Sequence, residues 1–262
     1  MCKVSVIMGI YNCAATLQEA LDSLYAQTFQ DFEIILCDDG SKDDTYEIAL
    51  ANQQQHSNIV LLRNECNMGL NKTLNNCLAV AKGEYIARMD GDDISMPTRF
   101  EKEVAFLDSH PEYAIVSTPM IYFDENGEFR RGVVYNQYPT KYDFVSGPPF
   151  CHAPCMVRVG AYKNVGGYSE DKKLLRVEDY HLWFKMYAAG YKGYILNEYL
   201  YKMRDDYAAI HRRSYKNRIN ESYVKYIGYK MLDLPWFYNI YIFRPLIVGL
   251  LPKCIYKILH RN

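Results

Sequence analysis

The first ninety residues alternate between apolar runs and segments of helical spacing. Val4-Ser5-Val6-Ile7-Met8 is β-branched and apolar, as a strand buried on both faces requires. Thr16-x-x-Glu19 has the form of a capping box and leads into Leu17, Leu21, Leu24 and Tyr25 at helical spacing. Phe32-Glu33-Ile34-Ile35-Leu36-Cys37 predicts a second strand that runs into Asp38-Asp39-Gly40-Ser41, and Ser41-x-x-Asp44 predicts the cap of the next helix. A third strand is expected over 59–62. A helix starting at Met68-Gly69 carries Leu70, Leu74, Leu78 and Ala81, and a fourth strand, Tyr85-Ile86-Ala87, ends at Arg88-Met89-Asp90-Gly91-Asp92-Asp93. Strands that alternate with single helices predict an α/β fold with a mostly parallel sheet covered on both faces. Right-handed crossovers then bring the strand ends, with their Asp-rich turns, to one edge, where such folds bind ligands. No GxGxxG follows any strand, which counts against a dinucleotide fold.

Beyond residue 110 the rhythm changes. Strands are predicted over 114–118 and 120–123, with a hairpin turn at Asp124-Glu125-Asn126-Gly127. Pro148-Pro149 marks a loop, and 178–189 predicts a helix that stops at Gly190. From about Tyr207 the chain becomes a basic, tyrosine-rich helical tail.

Composition adds a charge asymmetry. The 262 residues carry 30 Lys plus Arg against 31 Asp plus Glu, so the bulk electrostatic case for nucleic acid is absent. Residues 201–262, however, hold 12 basic and 4 acidic side chains, a net of +8 that leaves −9 for the rest. Eight cysteines without a CxxC pair favour reduced thiols in a cytosolic protein, and zinc at Cys151, His152 and Cys155 is disfavoured because no second cluster accompanies them. No signal peptide is visible, since the run over Val4–Ile10 is short and turns into Tyr11-Asn12.

Three acidic elements could do chemistry. Asp90-Gly91-Asp92 sets two carboxylates at i and i+2 around a glycine, a pattern that can offer oxygens to one hard divalent cation shared with substrate phosphates. By itself it also fits a solvated acidic turn. Asp38-Asp39-Gly40-Ser41 could accept hydrogen bonds from a nucleotide, or serve only as a turn and helix cap. Glu178-Asp179 could take a proton from an attacking hydroxyl, or simply complement a helix N-terminus.

Together these residues resemble the family-2 inverting glycosyltransferases with the GT-A fold, of the kind that build bacterial capsule, exopolysaccharide or lipopolysaccharide. Four elements carry the resemblance, in order and at similar spacing over residues 3 to about 205. They are the opening strand through Tyr11-Asn12; Gln27 with 32–41; Asn67-Met68-Gly69 with Asn75 and 81–86 before the Asp-x-Asp; and Glu178-Asp179-Tyr180-His181-Leu182-Trp183. The resemblance implies a GT-A glycosyltransferase domain over 1–205 with a helical extension over 206–262. Tyr11, Asp39, Asn67, Arg88, Asp90 and His152 would bind the nucleotide-sugar, most often a uridine one. Asp92 with Asp90 would hold Mn²⁺ or Mg²⁺, Asp179 would be the general base and Glu178 its supporting carboxylate. The implied enzyme is a hexosyl- or N-acetylhexosaminyl-transferase acting on a glycan or polyprenyl-diphosphate-linked acceptor. Tyr201-Lys202-Met203-Arg204 stands where processive relatives carry Gln-x-x-Arg-Trp, which favours transfer of a single sugar and leaves Arg204 to pair with a phosphate.

The run over 236–251 is apolar and aromatic but interrupted by Asn239, Arg244, Pro245 and Gly249, so it falls short of the about 20 residues of a span. With Lys253, Lys257 and Arg261 it suits the cytoplasmic face of a membrane, with Arg212, Arg213 and Lys216 towards a lipid diphosphate; packing on the core or an oligomer contact is the competing reading. Two rival functions, a nucleotidyltransferase and a non-catalytic sugar-nucleotide-binding relative, are disfavoured. The first turn lacks a Gly-rich basic loop, and Asp90, Asp92 and Asp179 are all present.

Overall fold

The computed structural model describes residues 2–205 and 215–250, so Arg212, Arg213, Lys253, Lys257 and Arg261, named above, lie outside the described residues. Its main sheet has seven strands in the order β10-β6-β9-β4-β1-β2-β3. In it, β1 (Val4–Ile10), β2 (Phe32–Asp38), β3 (Ile59–Arg63) and β4 (Tyr85–Arg88) run parallel, and β6 (Ile115–Ser117) and β10 (Gly193–Ile195) are parallel to each other. One antiparallel strand, β9 (Met156–Arg158), joins β4 to β6. This is the α/β, mostly parallel architecture that the apolar runs predict. A second sheet, β5 (Ile94–Ser95), β11 (Tyr201–Arg204), β7 (Met120–Asp124) and β8 (Gly127–Arg131), stands at the edge where β4 ends, and the expected hairpin turn joins β7 to β8.

The alternation of side chains along the central strands divides the core in two. Val4, Val6, Met8, Ile34 and Leu36 meet α1 (Ala14–Tyr25) and α4 (Arg99–Ser109), through Leu17, Leu21, Leu24, Phe100 and Leu107. Ile7, Ile35 and Ile86 meet α3 (Leu70–Val80), α5 (Val159–Val165) and α6 (Glu178–Ala188) on the other face. The helix α7 (Tyr215–Met231) joins that second core. Its Gly228 lies against Phe184 so closely that a Cβ would come within 2.3 Å of the ring. Lys225 Nζ and the Tyr229 hydroxyl both donate to the Val145 carbonyl, and Asn220 donates to that of Leu175.

Both expected helix caps are corrected. The first helix begins at Ala14, so Thr16 lies inside its first turn and donates to the carbonyls of Cys13 and Gly91. The N-terminal N–H groups are satisfied from the neighbouring turn instead: Cys13 N donates to Thr45 Oγ1 and Ala14 N to Asp43 Oδ2. Ser41 does not cap α2 (Thr45–Gln55); its hydroxyl accepts from Asn12 N, while Asp43 accepts from Thr45 N. Tertiary bonds between adjacent strand ends outcompete the local motif at both places. The cysteines among the described residues are all free.

Candidate active site

A cavity of about 520 Å³ opens at the ends of β1, β2 and β4. It collects Tyr11, Asp39, Asn67, Asp90, Asp92 and Glu178 from five separate stretches of chain. Parallel pairing brings them together: register sets Ile10 beside Asp38 and Ile7 beside Arg88, so the residues that follow each strand leave the sheet at one edge. Arg88, His152 and Asp179, also singled out by the sequence, are not on the cavity wall. Lys216 is on it, joined by Asn217 and Asn220 of α7 and by Arg176.

Asp39 organises one wall. Its Oδ1 accepts from Asn64 Nδ2 and Met68 N, both at 2.8 Å, and its Oδ2 accepts from Gly69 N at 2.9 Å. The carboxylate thus holds the entry to α3, where Gly69 takes a φ of +91° that favours glycine. Asp38 points the other way, into the protein, accepting from Ser41 N and pairing with Arg63.

The Asp90-Gly91-Asp92 turn is held on several sides. Buried Arg88 donates to Asp90 Oδ1 at 2.5 Å; burial opposes its charge, but the Asp90 carboxylate outweighs that and keeps the guanidinium protonated. Its Nε and Nη1 are buried without a hydrogen-bond partner. From β11, the Tyr201 hydroxyl donates to Asp93 and accepts from Asp90 N, while Arg204 donates through its backbone N to Asp93 and through Nε to the Asp92 carbonyl. Arg204 also pairs with Glu19 and lies over the Phe123 ring, so it braces the turn from outside the cavity. Asp93 is buried, and burial with its acidic neighbours raises its pKa well above the usual range. No backbone reading of the sequence separated it from Asp90 and Asp92; its place beneath the turn depends on β11.

The donor set fits a divalent cation. Asp90 and Asp92 bring hard carboxylates to the cavity, and the glycine between them is required, because a Cβ on Gly91 would lie 2.8 Å from Cys13 Sγ and 3.3 Å from Ile10 Cγ2. Among the described residues no group of three or more His, Cys, Asp or Glu side chains could hold a metal alone. A cation at this turn would therefore complete its shell with substrate oxygens and water, as Mg²⁺-type sites do.

Across the cavity, α6 begins with the two carboxylates. Glu178 is buried, its Oε2 has no hydrogen-bond partner, and burial raises its pKa. Asp179 is half-buried and accepts from Tyr180 N; burial first, then the neighbouring Glu178 charge, push its pKa up to about 7. Arg176, two residues before Glu178, takes a φ of +68°, unusual for a side-chain-bearing residue. His152 sits behind this wall: Nε2 bonds the Tyr168 hydroxyl at 2.7 Å, and burial, then Arg88, lower its pKa well below the usual range. It is a neutral packing residue here, one layer back from the cavity.

An α/β domain with strand-end carboxylates around one cavity defines a class of nucleotide-using transferases, and comparison assigns the family. The family model "Glycosyl transferase family 2" matches residues 5–166. The chain is 42% identical over 261 residues, 99% of its length and 94% of the other's, to EpsE of Bacillus subtilis (strain 168), named as a glycosyltransferase. It is 31% identical over 237 residues, 87% of each chain, to the Escherichia coli UDP-Glc:alpha-D-GlcNAc-diphosphoundecaprenol beta-1,3-glucosyltransferase WfaP. Its fold is similar to that of the mannosyltransferase PcManGT from Pyrobaculum calidifontis in complex with GDP-Man and Mn²⁺, with a TM-score of 0.67 at 19% identity over 95% of this chain and 74% of that one. The chain belongs to glycosyl transferase family 2 and is a glycosyltransferase.

Proposed function

We propose that the chain is an inverting, metal-dependent glycosyltransferase that moves one sugar from a UDP-sugar to a lipid-linked diphosphate acceptor in surface polysaccharide assembly, at the cytoplasmic face of the membrane. The observation that carries it is the meeting, in one cavity, of three strand-end elements with Glu178 at the start of α6, where Asp179 is its immediate neighbour. Tyr11, Asp39 and Asn67 bind the base and ribose side of the donor, and Asp39 also keeps the Met68-Gly69 turn in place to do so. Arg88 orients Asp90 and brings positive charge behind the diphosphate position. Asp90 and Asp92 would hold Mn²⁺ or Mg²⁺, which when bound supplies positive charge against that building on the leaving diphosphate.

Asp179 takes the acceptor hydroxyl proton as that oxygen attacks the anomeric carbon, and the bond to the diphosphate breaks on the opposite face, so one displacement inverts the centre. A base titrating near 7 suits this task, because it is deprotonated at working pH yet still proton-seeking. Burial raises Asp179 first, and the neighbouring Glu178 adds to it. The role of Arg204 as a brace, in place of a Gln-x-x-Arg-Trp element, supports single-sugar transfer. The acceptor class rests on WfaP, whose name specifies UDP-Glc and a diphosphoundecaprenol-linked sugar.

The test is nucleotide release from UDP-, GDP- and dTDP-sugars with Mn²⁺ or Mg²⁺ and with EDTA. One donor is expected to hydrolyse slowly, EDTA to stop it, added metal to restore it, and Asp92→Ala to block that restoration. Turnover that survives EDTA and Asp92→Ala refutes the metal assignment. Absence of binding to every donor, measured calorimetrically with metal present, refutes the donor assignment.

A further inference from the structure

After α7 the chain turns through a 3-10 segment, Trp236–Ile242, into the short helix α8 (Arg244–Gly249). Most of its large apolar side chains are exposed, Phe237 and Tyr241 among them. Tyr238 and Ile242 pack against the core and Pro245 is buried. Trp236, Ile240, Phe243, Ile247 and Leu250 recur every three or four residues on the other side and face solvent, with Trp236 82%, Ile240 71%, Ile247 62% and Leu250 73% exposed. Single exposed apolar residues are ordinary, but a stripe of five large ones marks an interaction surface.

The basic character of the sequence at this end of the chain selects the occupant. From residue 234 to the end the sequence holds Arg244, Lys253, Lys257 and Arg261 and no acidic residue. A second copy of the chain would bring two basic segments together, whereas an anionic bilayer complements one. A tryptophan at one end and aliphatic side chains along the rest match the composition of segments lying in the headgroup boundary. Among the described residues no helix is long and apolar enough to cross a membrane, so contact would be with one leaflet.

Position links the stripe to the active site. Gly249 lies so close to α7 that a Cβ would come within 3.0 Å of Arg218 Cγ and of the Tyr215 ring. That turn of α7 also sends Lys216 and Asn217 into the cavity wall. We propose that the stripe from Trp236 to Leu250 is a membrane-docking face that seats the protein on an anionic phospholipid leaflet, with the α7 end of the cavity next to the headgroups. Lys216 then meets the diphosphate of a lipid-linked acceptor where it emerges from the bilayer. That orientation rests on the acceptor reading above; the docking does not.

The experiment is co-sedimentation of the full chain with vesicles of phosphatidylcholine alone or mixed with phosphatidylglycerol. Tryptophan emission is read alongside, since Trp183 is buried and any shift reports Trp236. Binding to the phosphatidylglycerol vesicles, a blue shift and weakening by salt are expected. Ile240→Glu with Ile247→Glu should lower vesicle affinity at least about tenfold, at unchanged Tm, because two charges would enter the boundary. Trp236→Ser should show the loss in sedimentation if that pair disturbs the fold. Failure of the wild-type chain to bind either vesicle, or unchanged binding by the variants, overturns the proposal. So does a wild-type dimer in sedimentation velocity that the same substitutions dissociate, which would assign the stripe to a second copy. Donor hydrolysis in vesicle-free buffer is measured in parallel; the stripe variants should retain it, and its absence from the wild-type chain would count against the donor assignment alone.

Discussion

Replacing Asp179 by Asn should inactivate the enzyme and make the fold more stable above neutral pH. Burial and the Glu178 charge raise the Asp179 pKa from 3.8 to about 7, against the pull of the helix N-terminus. A carboxyl whose folded pKa is raised favours the folded state in its protonated form. Its penalty is absent below pH 4, grows between pH 4 and 7, and is complete above 7. At about 1.36 kcal/mol per pH unit the gap sets a ceiling near 4 kcal/mol, and partial exposure with solvent screening reduces it to about 1–2 kcal/mol. Asn keeps the shape and never carries the charge. Urea denaturation at pH 4 should therefore show the two proteins equal, and at pH 8 the variant more stable by about 1–2 kcal/mol. Over the same range wild-type kcat/KM should rise to a plateau above pH 7, about tenfold lower for each unit below, and the variant should lose about 10²- to 10⁴-fold. Equal stability at pH 8, or a kcat/KM profile flat from pH 5 to 8, would refute the assignment of the base.

Asp39→Asn should cost about 1–3 kcal/mol in urea denaturation and weaken donor binding, because an amide NH₂ would face a donor that now meets a carboxylate oxygen. Gly228→Ala should destabilise by about 1–3 kcal/mol, because its Cβ meets the Phe184 ring; an unchanged urea midpoint would mean that α7 is not docked on α6. Arg204→Met should raise the metal concentration for half-maximal donor hydrolysis by about tenfold while kcat at saturating metal holds, since it removes the hydrogen bond to the Asp92 carbonyl and not a ligand. An equal loss at saturating metal would place Arg204 in the chemistry instead.

Strands β1, β2 and β4 are legible because each is an apolar run buried on both faces, edge strand β3 is legible as a shorter apolar run, and their parallel order puts the acidic turns at one edge. The antiparallel strand β9 was not, since three residues, Met156-Val157-Arg158, carry no usable period. The two capping boxes failed for a reason the sequence cannot show. Thr16 and Ser41 are suited to capping, but Ser41 lies beside the turn after β1 and Thr16 beside the turn after β4, and the bonds from Asn12 and to Gly91 use those hydroxyls instead. Side-chain direction was equally hidden. Asp38 and Asp39 are chemically identical neighbours, yet strand alternation sends one to Arg63 and the other to the cavity. His152 was near the site in sequence terms and one layer behind it in space.

The arrangement around Asp90 explains why this turn can bind a cation without being built around one. Three carboxylates in four residues would repel strongly if all were charged and equally exposed. The fold treats each differently. Asp93 is buried on Tyr201 and Arg204 N, where its charge is disfavoured, and Asp90 is paired with Arg88. Asp92 stands on the cavity wall with its carbonyl held by Arg204, so its position is set through the backbone. Preorganisation of this kind concentrates negative charge at the turn, which a divalent cation brought in with a nucleotide diphosphate would relieve on the function proposed above. On the proposed function, metal and donor would assemble the site together, since among the described residues no group of three or more His, Cys, Asp or Glu could hold a metal alone.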